Sequence, residues 1–217
     1  GDVSLGRAIL MQYARYYPGY REQGGIPYNG PGKMNAQRRG EALCLSELVK
    51  GYDLIYDART PAERTLIERD LLRACADFLI SKRWEQLHNH EVRINSALAM
   101  TGAVLDDPRY LQTGVNAVWG LHDQLRCGVL KGGLWFEGSL HYHHYALQGF
   151  FEFERMVRYA HQDYSLMAQP YYKKMLDLPL RLLMPDDTEP AFNDCIPLKD
   201  TVTDPDLYEF AYACYGE

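Results

Sequence analysis

The chain of 217 residues contains no apolar run approaching the ~18 residues that a membrane-crossing helix needs, so no membrane partner is expected. It lacks a surplus of positive charge: 23 Lys and Arg stand against 29 Asp and Glu, a net charge of −6. That balance argues against nucleic-acid binding, which needs a basic footprint. An acidic substrate in a locally positive pocket stays open. Cysteine is scarce, odd in number and scattered (Cys44, Cys75, Cys127, Cys195, Cys214), without Cys-x-x-Cys spacing. Mostly buried free thiols are expected rather than a disulfide framework or a zinc site. The initiator Met and a signal-peptide pattern are missing too, and the chain stops abruptly after the apolar stretch Leu207 to Tyr215. The expectation is a portion of a longer protein.

Alternating strand patterns are also missing, and helical periodicity fills the chain. Helices are predicted from Leu5 to about Tyr17, from Ala36 to Tyr56, and from Thr60-Pro61, where Glu63 completes a capping box. Further helices run from Asn95 to Val104, from Arg109 to Leu125, from Tyr145 to His161, and from Tyr171 to Leu183, where Pro179 kinks or ends the last one. From Pro185 onward the chain reads as loop. Helices of ~12–20 residues joined by short links stack as antiparallel pairs, and their lengths are too uneven for a fixed-period repeat. The predicted fold is all-α, a single domain over residues 1–217: an incomplete (α/α) toroid of stacked helical hairpins.

What is abundant is tyrosine, 17 in all, with Tyr13, Tyr16, Tyr17, Tyr20 and Tyr28 close together. A tyrosine offers a flat apolar face to a sugar ring and a hydroxyl to its polar edge. Two stretches concentrate reactive groups. One is Trp84-Glu85-Gln86-Leu87-His88-Asn89-His90-Glu91, ahead of a helix; the other runs from Gly132 to Leu147 and delivers Trp135, Glu137, His141, Tyr142, His143 and His144 to a helix start. His141 and His144 have metal-ligand spacing, but no third ligand follows at a motif-like distance, so neither metal nor cofactor is expected. Ser139 lacks the nucleophile-elbow motif. Tyrosine, histidine and asparagine without a metal suit β-elimination on a uronic acid. Amide and imidazole N–H groups neutralise the carboxylate, and a tyrosine hydroxyl moves a proton once neighbouring positive groups lower its pKa from ~10.

The segments "HNHE…INSALAMTG" and "GGLWFEGSLHYHHYAL" resemble the heparinase II/III and alginate lyase superfamily, most closely polysaccharide lyase families 15 and 17. In that group an Asn or His before a toroid helix neutralises the uronate, and a Tyr some 52–57 residues later transfers the proton. Here Tyr142 follows His88 by 54 residues, Asn89 by 53 and His90 by 52. The resemblance implies Tyr142 as acid/base, with Asn89 and His90, or else His88, holding the carboxylate. Trp135 and His141 would line the cleft, Trp135 by stacking on a sugar, and Glu137 would orient a histidine or fix a loop beside the substrate. Gln37 and Arg38 would reach an acidic sugar at the toroid mouth. The implied substrate is an acidic polysaccharide or oligosaccharide, heparin or heparan sulfate or alginate, met in the periplasm or outside the cell. Two other readings stay open: a glycoside hydrolase using Glu91, Glu137 or Asp123 as its carboxylate pair, and a non-catalytic carbohydrate-binding helical module.

Overall fold

A computed structural model describes residues 2–24, 29–195 and 205–216; Tyr28 lies outside them. Among the described residues the fold is helical, with only two isolated β-bridges, Gln23 to Gly32 and Val129 to Trp135. In order, the helices are α1 (Val3–Tyr16), α2 (Arg38–Leu54), α3 (Pro61–Ile67), α4 (Ala74–Ser81), α5 (Asn89–Leu105), α6 (Pro108–Val115), α7 (Leu121–Gly128), α8 (Leu140–Val157), α9 (Pro170–Leu182) and α10 (Pro205–Tyr215). A π-helical turn, Glu68–Arg73, joins α3 to α4. The Thr60–Glu63 capping box forms as its spacing predicts.

Helix α5 is the axis of the molecule and packs against α2, α6 and α8. Residues 91–102 are all buried, so this helix meets protein all round its circumference. Small residues set the spacing. A Cβ on Gly114 of α6 would come within 2.4 Å of the Asn95 carbonyl oxygen, and one on Gly149 of α8 within 3.0 Å of Val92 Cγ1. The N-terminus of α5 is thereby fixed where α2 and α8 also begin.

Three expectations need correction. The single helix from Arg109 to Leu125 is two, because residues 116–120 form a turn with Trp119 at a φ of 58°. Long-range polar bonds hold that turn: Asn95 Nδ2 and Gln124 Nε2 both donate to the Trp119 carbonyl, at 2.7 and 3.0 Å. Pro179 neither ends α9 nor leaves a carbonyl stranded. The Met175 carbonyl, which Pro179 cannot serve, takes a hydrogen bond from His143 Nε2 at 3.0 Å. The thiols are all free, but only Cys75 is fully buried and Cys127 is exposed. No helix among the described residues is long and apolar enough to cross a membrane.

Candidate active site

The two reactive stretches meet at the N-termini of α5 and α8. His88 caps α5, its Nδ1 accepting the His90 backbone N–H at 3.1 Å, which puts the ring proton on Nε2. Asn89, the first helical residue, is buried. Its side-chain Nδ2 donates to both Glu137 oxygens at 2.8 Å, and its backbone N–H donates to the same carboxylate at 3.1 Å. Trp135 Nε1 adds a fourth donation at 2.5 Å, and His88 Nε2 stands 3.9 Å away. A carboxylate at a helix N-terminus with this many donors is strongly held. Glu137, expected from the sequence beside the substrate, is therefore not free for it. It is the clamp that fixes Asn89, whose own donors it occupies.

His90, like His88, is half-buried. Its ring meets that of His88 edge to face at 4.6 Å. Burial, with His88, Arg39 and Arg38 nearby, lowers its pKa to about 4, so the imidazole is neutral around pH 7. Burial likewise lowers that of His88. A carboxylate arriving at His90 would accept a hydrogen bond from the ring and raise its pKa.

Tyr142 lies in the first turn of α8 and is partly exposed. Its hydroxyl donates to Asp194, whose backbone carbonyl accepts from Ser139 Oγ at 2.9 Å, while Asn193 Nδ2 donates to the Gly138 carbonyl. The turn at residues 193–194 thus straps the start of α8. The hydrogen bond to Asp194, then burial, then the negative charges of Asp194 and Glu137 raise the Tyr142 pKa. The sequence reading anticipated lowering by positive neighbours; carboxylates face this hydroxyl instead. Glu137, which binds Asn89, also acts electrostatically on Tyr142, so one carboxylate links the two stretches.

The three histidines of α8 diverge. His141 is exposed, its ring 5.5 Å from that of Tyr142. His143 is wholly buried between the Trp135 backbone N–H and the Met175 carbonyl, and burial pushes its pKa to about 3. His144 pairs with the buried Glu189 at 2.9 Å. Two cleft residues named from the sequence are corrected. Trp135 is fully buried against Phe136 and Phe150, so it packs the rim and cannot stack on a sugar. Arg38 is fully buried too, its guanidinium 3.5 Å over the Trp84 ring and 3.0 Å from Glu91. Its neighbour Arg39 acts on His90 more strongly than Arg38 does. Gln37 is half-buried at the N-cap of α2. Asp194 and Arg39 are the two site residues the sequence reading missed.

The carboxylates of a hydrolase are not available in this arrangement. Glu91 is buried with Arg38, Glu137 is filled by Asn89 and Trp135, and Asp123 accepts the Trp119 N–H at 3.1 Å and pairs with Arg126 at 2.9 Å.

Comparison with known proteins places this geometry in context. Residues 70–213 match the family model Heparinase II/III N-terminus. An alginate lyase of Stenotrophomonas maltophilia (strain K279a) is 30% identical over 174 residues, covering 77% of this chain and 23% of that protein. An exo-oligoalginate lyase of Saccharophagus degradans is 27% identical over 166 residues, covering 71% and 22%. The chain thus spans under a quarter of the length of these relatives. The solved structure of heparinase III, the BT4657 gene product, superposes with a TM-score of 0.69 at 15% identity, over 100% of this chain and 36% of that one. The architecture is that of an (α/α) toroid.

Proposed function

The chain belongs to the heparinase II/III family, and on that premise we propose that it is the helical catalytic part of a lyase cleaving a uronic-acid polysaccharide by β-elimination. The observation that carries this reading is that Glu137 binds Asn89, stands 3.9 Å from His88, on whose ring His90 packs, and acts on Tyr142. The alginate lyase names of the two sequence relatives favour alginate over heparan sulfate as the polymer.

In this scheme the neutral His90 ring donates its N–H to the substrate carboxylate and becomes more basic as it does so, offsetting the charge that builds on the enolate. Asn89, fixed by Glu137, sets the position of that ring from the preceding residue. Asp194 keeps Tyr142 protonated, so Tyr142 is poised to deliver its proton to the departing O4. The C5 proton passes to a base, for which the exposed His141 beside Tyr142 is our candidate. One C–H and one C–O bond break, a C4–C5 double bond forms, and no water is consumed. Such polymers are met in the periplasm or outside the cell, and we assign the chain there.

The test is ultraviolet absorbance of the unsaturated product, followed on alginate, heparan sulfate and hyaluronan. We expect a rise on alginate that falls at least ~10³-fold in rate in Tyr142→Phe, the loss typical of a removed proton-transfer group. A Tyr142→Phe variant as active as the parent would remove Tyr142 from the chemistry.

A further inference from the structure

Arg39 occupies the second position of α2, one residue past the buried Arg38. Its guanidinium lies 5.6 Å from the centroid of the Tyr145 ring, and the Arg93 guanidinium lies 4.6 Å from the same centroid. The two cations differ in how they are balanced. Arg93 is held by Glu152 at 3.0 Å. Among the described residues Arg39 has no carboxylate partner, and its Nε is buried without a hydrogen bond. The Tyr145 hydroxyl and Arg93 Nε are buried and unpartnered as well. Three unmatched donors at one place, one of them on an uncompensated cation, are costly unless an acceptor arrives.

The place adjoins the candidate site. Tyr145 follows Tyr142 by three residues and so shares its side of α8, and the Arg39 charge reaches His90. A planar guanidinium fork matches the two oxygens of a carboxylate. With His90 engaged by the carboxylate of the sugar being cleaved, Arg39 is available for another acid group close by.

We propose that Arg39, backed by Tyr145 and Arg93, is a second carboxylate pocket, and that the site therefore reads acid groups on neighbouring sugars. That requirement selects a contiguous polyuronide, in which every ring carries a carboxylate, over a glycosaminoglycan, in which uronates alternate with amino sugars. A sulfated chain would call for several free cations here, whereas Arg39 stands as a single free fork. The inference rests on the lyase reading for the assignment of His90 to the first carboxylate. Its test is therefore a binding measurement, independent of turnover.

Calorimetric titration of the full chain with a saturated mannuronate trimer, its carboxyl-reduced counterpart and a heparan-sulfate-derived oligosaccharide decides it. The parent and Tyr142→Phe are expected to bind the mannuronate trimer alike. Arg39→Gln is expected to weaken that binding ~10-fold or more while staying above the carboxyl-reduced trimer, which also lacks the acid group that His90 engages, and Arg39→Lys to fall between Arg39→Gln and the parent. Thermal unfolding of both Arg39 variants checks that they fold, and Arg39→Lys keeps the comparison alive if Arg39→Gln does not. No binding by the parent, equal binding by Arg39→Gln, or a loss confined to the sulfated ligand would each overturn the pocket. Retained Arg39-dependent binding without any elimination would overturn the lyase reading and leave the pocket standing.

Discussion

Tyr142 and Asp194 make the contact on which the proposed proton transfer turns. The hydroxyl donates to the carboxylate, and the groups facing it are Asp194, Glu137 and the ring of His141. Because Asp194 supplies the largest cause of the raised pKa, Asp194→Asn lowers the pH at which Tyr142 ionises. The alkaline limb of the kcat–pH profile should move to lower pH in that variant; an unmoved limb would mean that Tyr142 does not act as the acid. Residue identities at this scale were partly legible. His88, Asn89, His90 and Tyr142 sit in two contiguous runs whose composition announces them. Asp194 fell in the stretch read as loop, because its partner lies 52 residues earlier. Arg38 and Arg39 were exchanged because one residue turns a helix by about 100°, and only the packing of Trp84 and Glu91 decides which of the two faces inward.

At the scale of elements, buried charge and close helix approach hold the site in shape. Burial outweighs the attraction of Arg38 and Arg83 and pushes the Glu91 carboxyl up to about 7. A carboxyl raised in the folded state favours folding at low pH and loses that contribution as pH rises through about 7. Arg38→Ala strands Glu91, so it should destabilise by about 3–5 kcal/mol where Glu91 is ionised, and by less where it is protonated. Urea unfolding at pH 5 and pH 8 checks this; a larger loss at pH 5 would contradict it. The glycines give a paired prediction. Gly114→Ala forces α6 off the α5 backbone and should cost about 1–3 kcal/mol. Gly51→Ala, within α2 and with nothing within 4 Å of the added Cβ, should gain about 0.5–1 kcal/mol. Thermal unfolding reads both. Most helices were legible from periodicity and caps, since those signals are local. The break at residues 116–120 and the continuity of α9 through Pro179 were not, since each depends on a side chain from another helix, Asn95 in one case and His143 in the other.

At the scale of the whole molecule, one central helix buried on every side aligns the starts of two others, α2 and α8, and the groups proposed to bind the acid and transfer the proton gather there. The toroid class followed from uneven helical hairpins without strands, and the 0.69 TM-score overlap with heparinase III agrees with it. The clamp that joins the two reactive stretches, Glu137 on Asn89, was out of reach of the sequence: it spans 48 residues, and a glutamate in a glycine-rich loop carries no mark of its partner. The central claim is elimination, in which no solvent oxygen enters the product, against hydrolysis, in which one does. The most direct measurement is the mass of the oligosaccharides released from alginate in ¹⁸O-labelled water. The account predicts new ends lighter by one water and free of label; saturated ends carrying one labelled oxygen would contradict it.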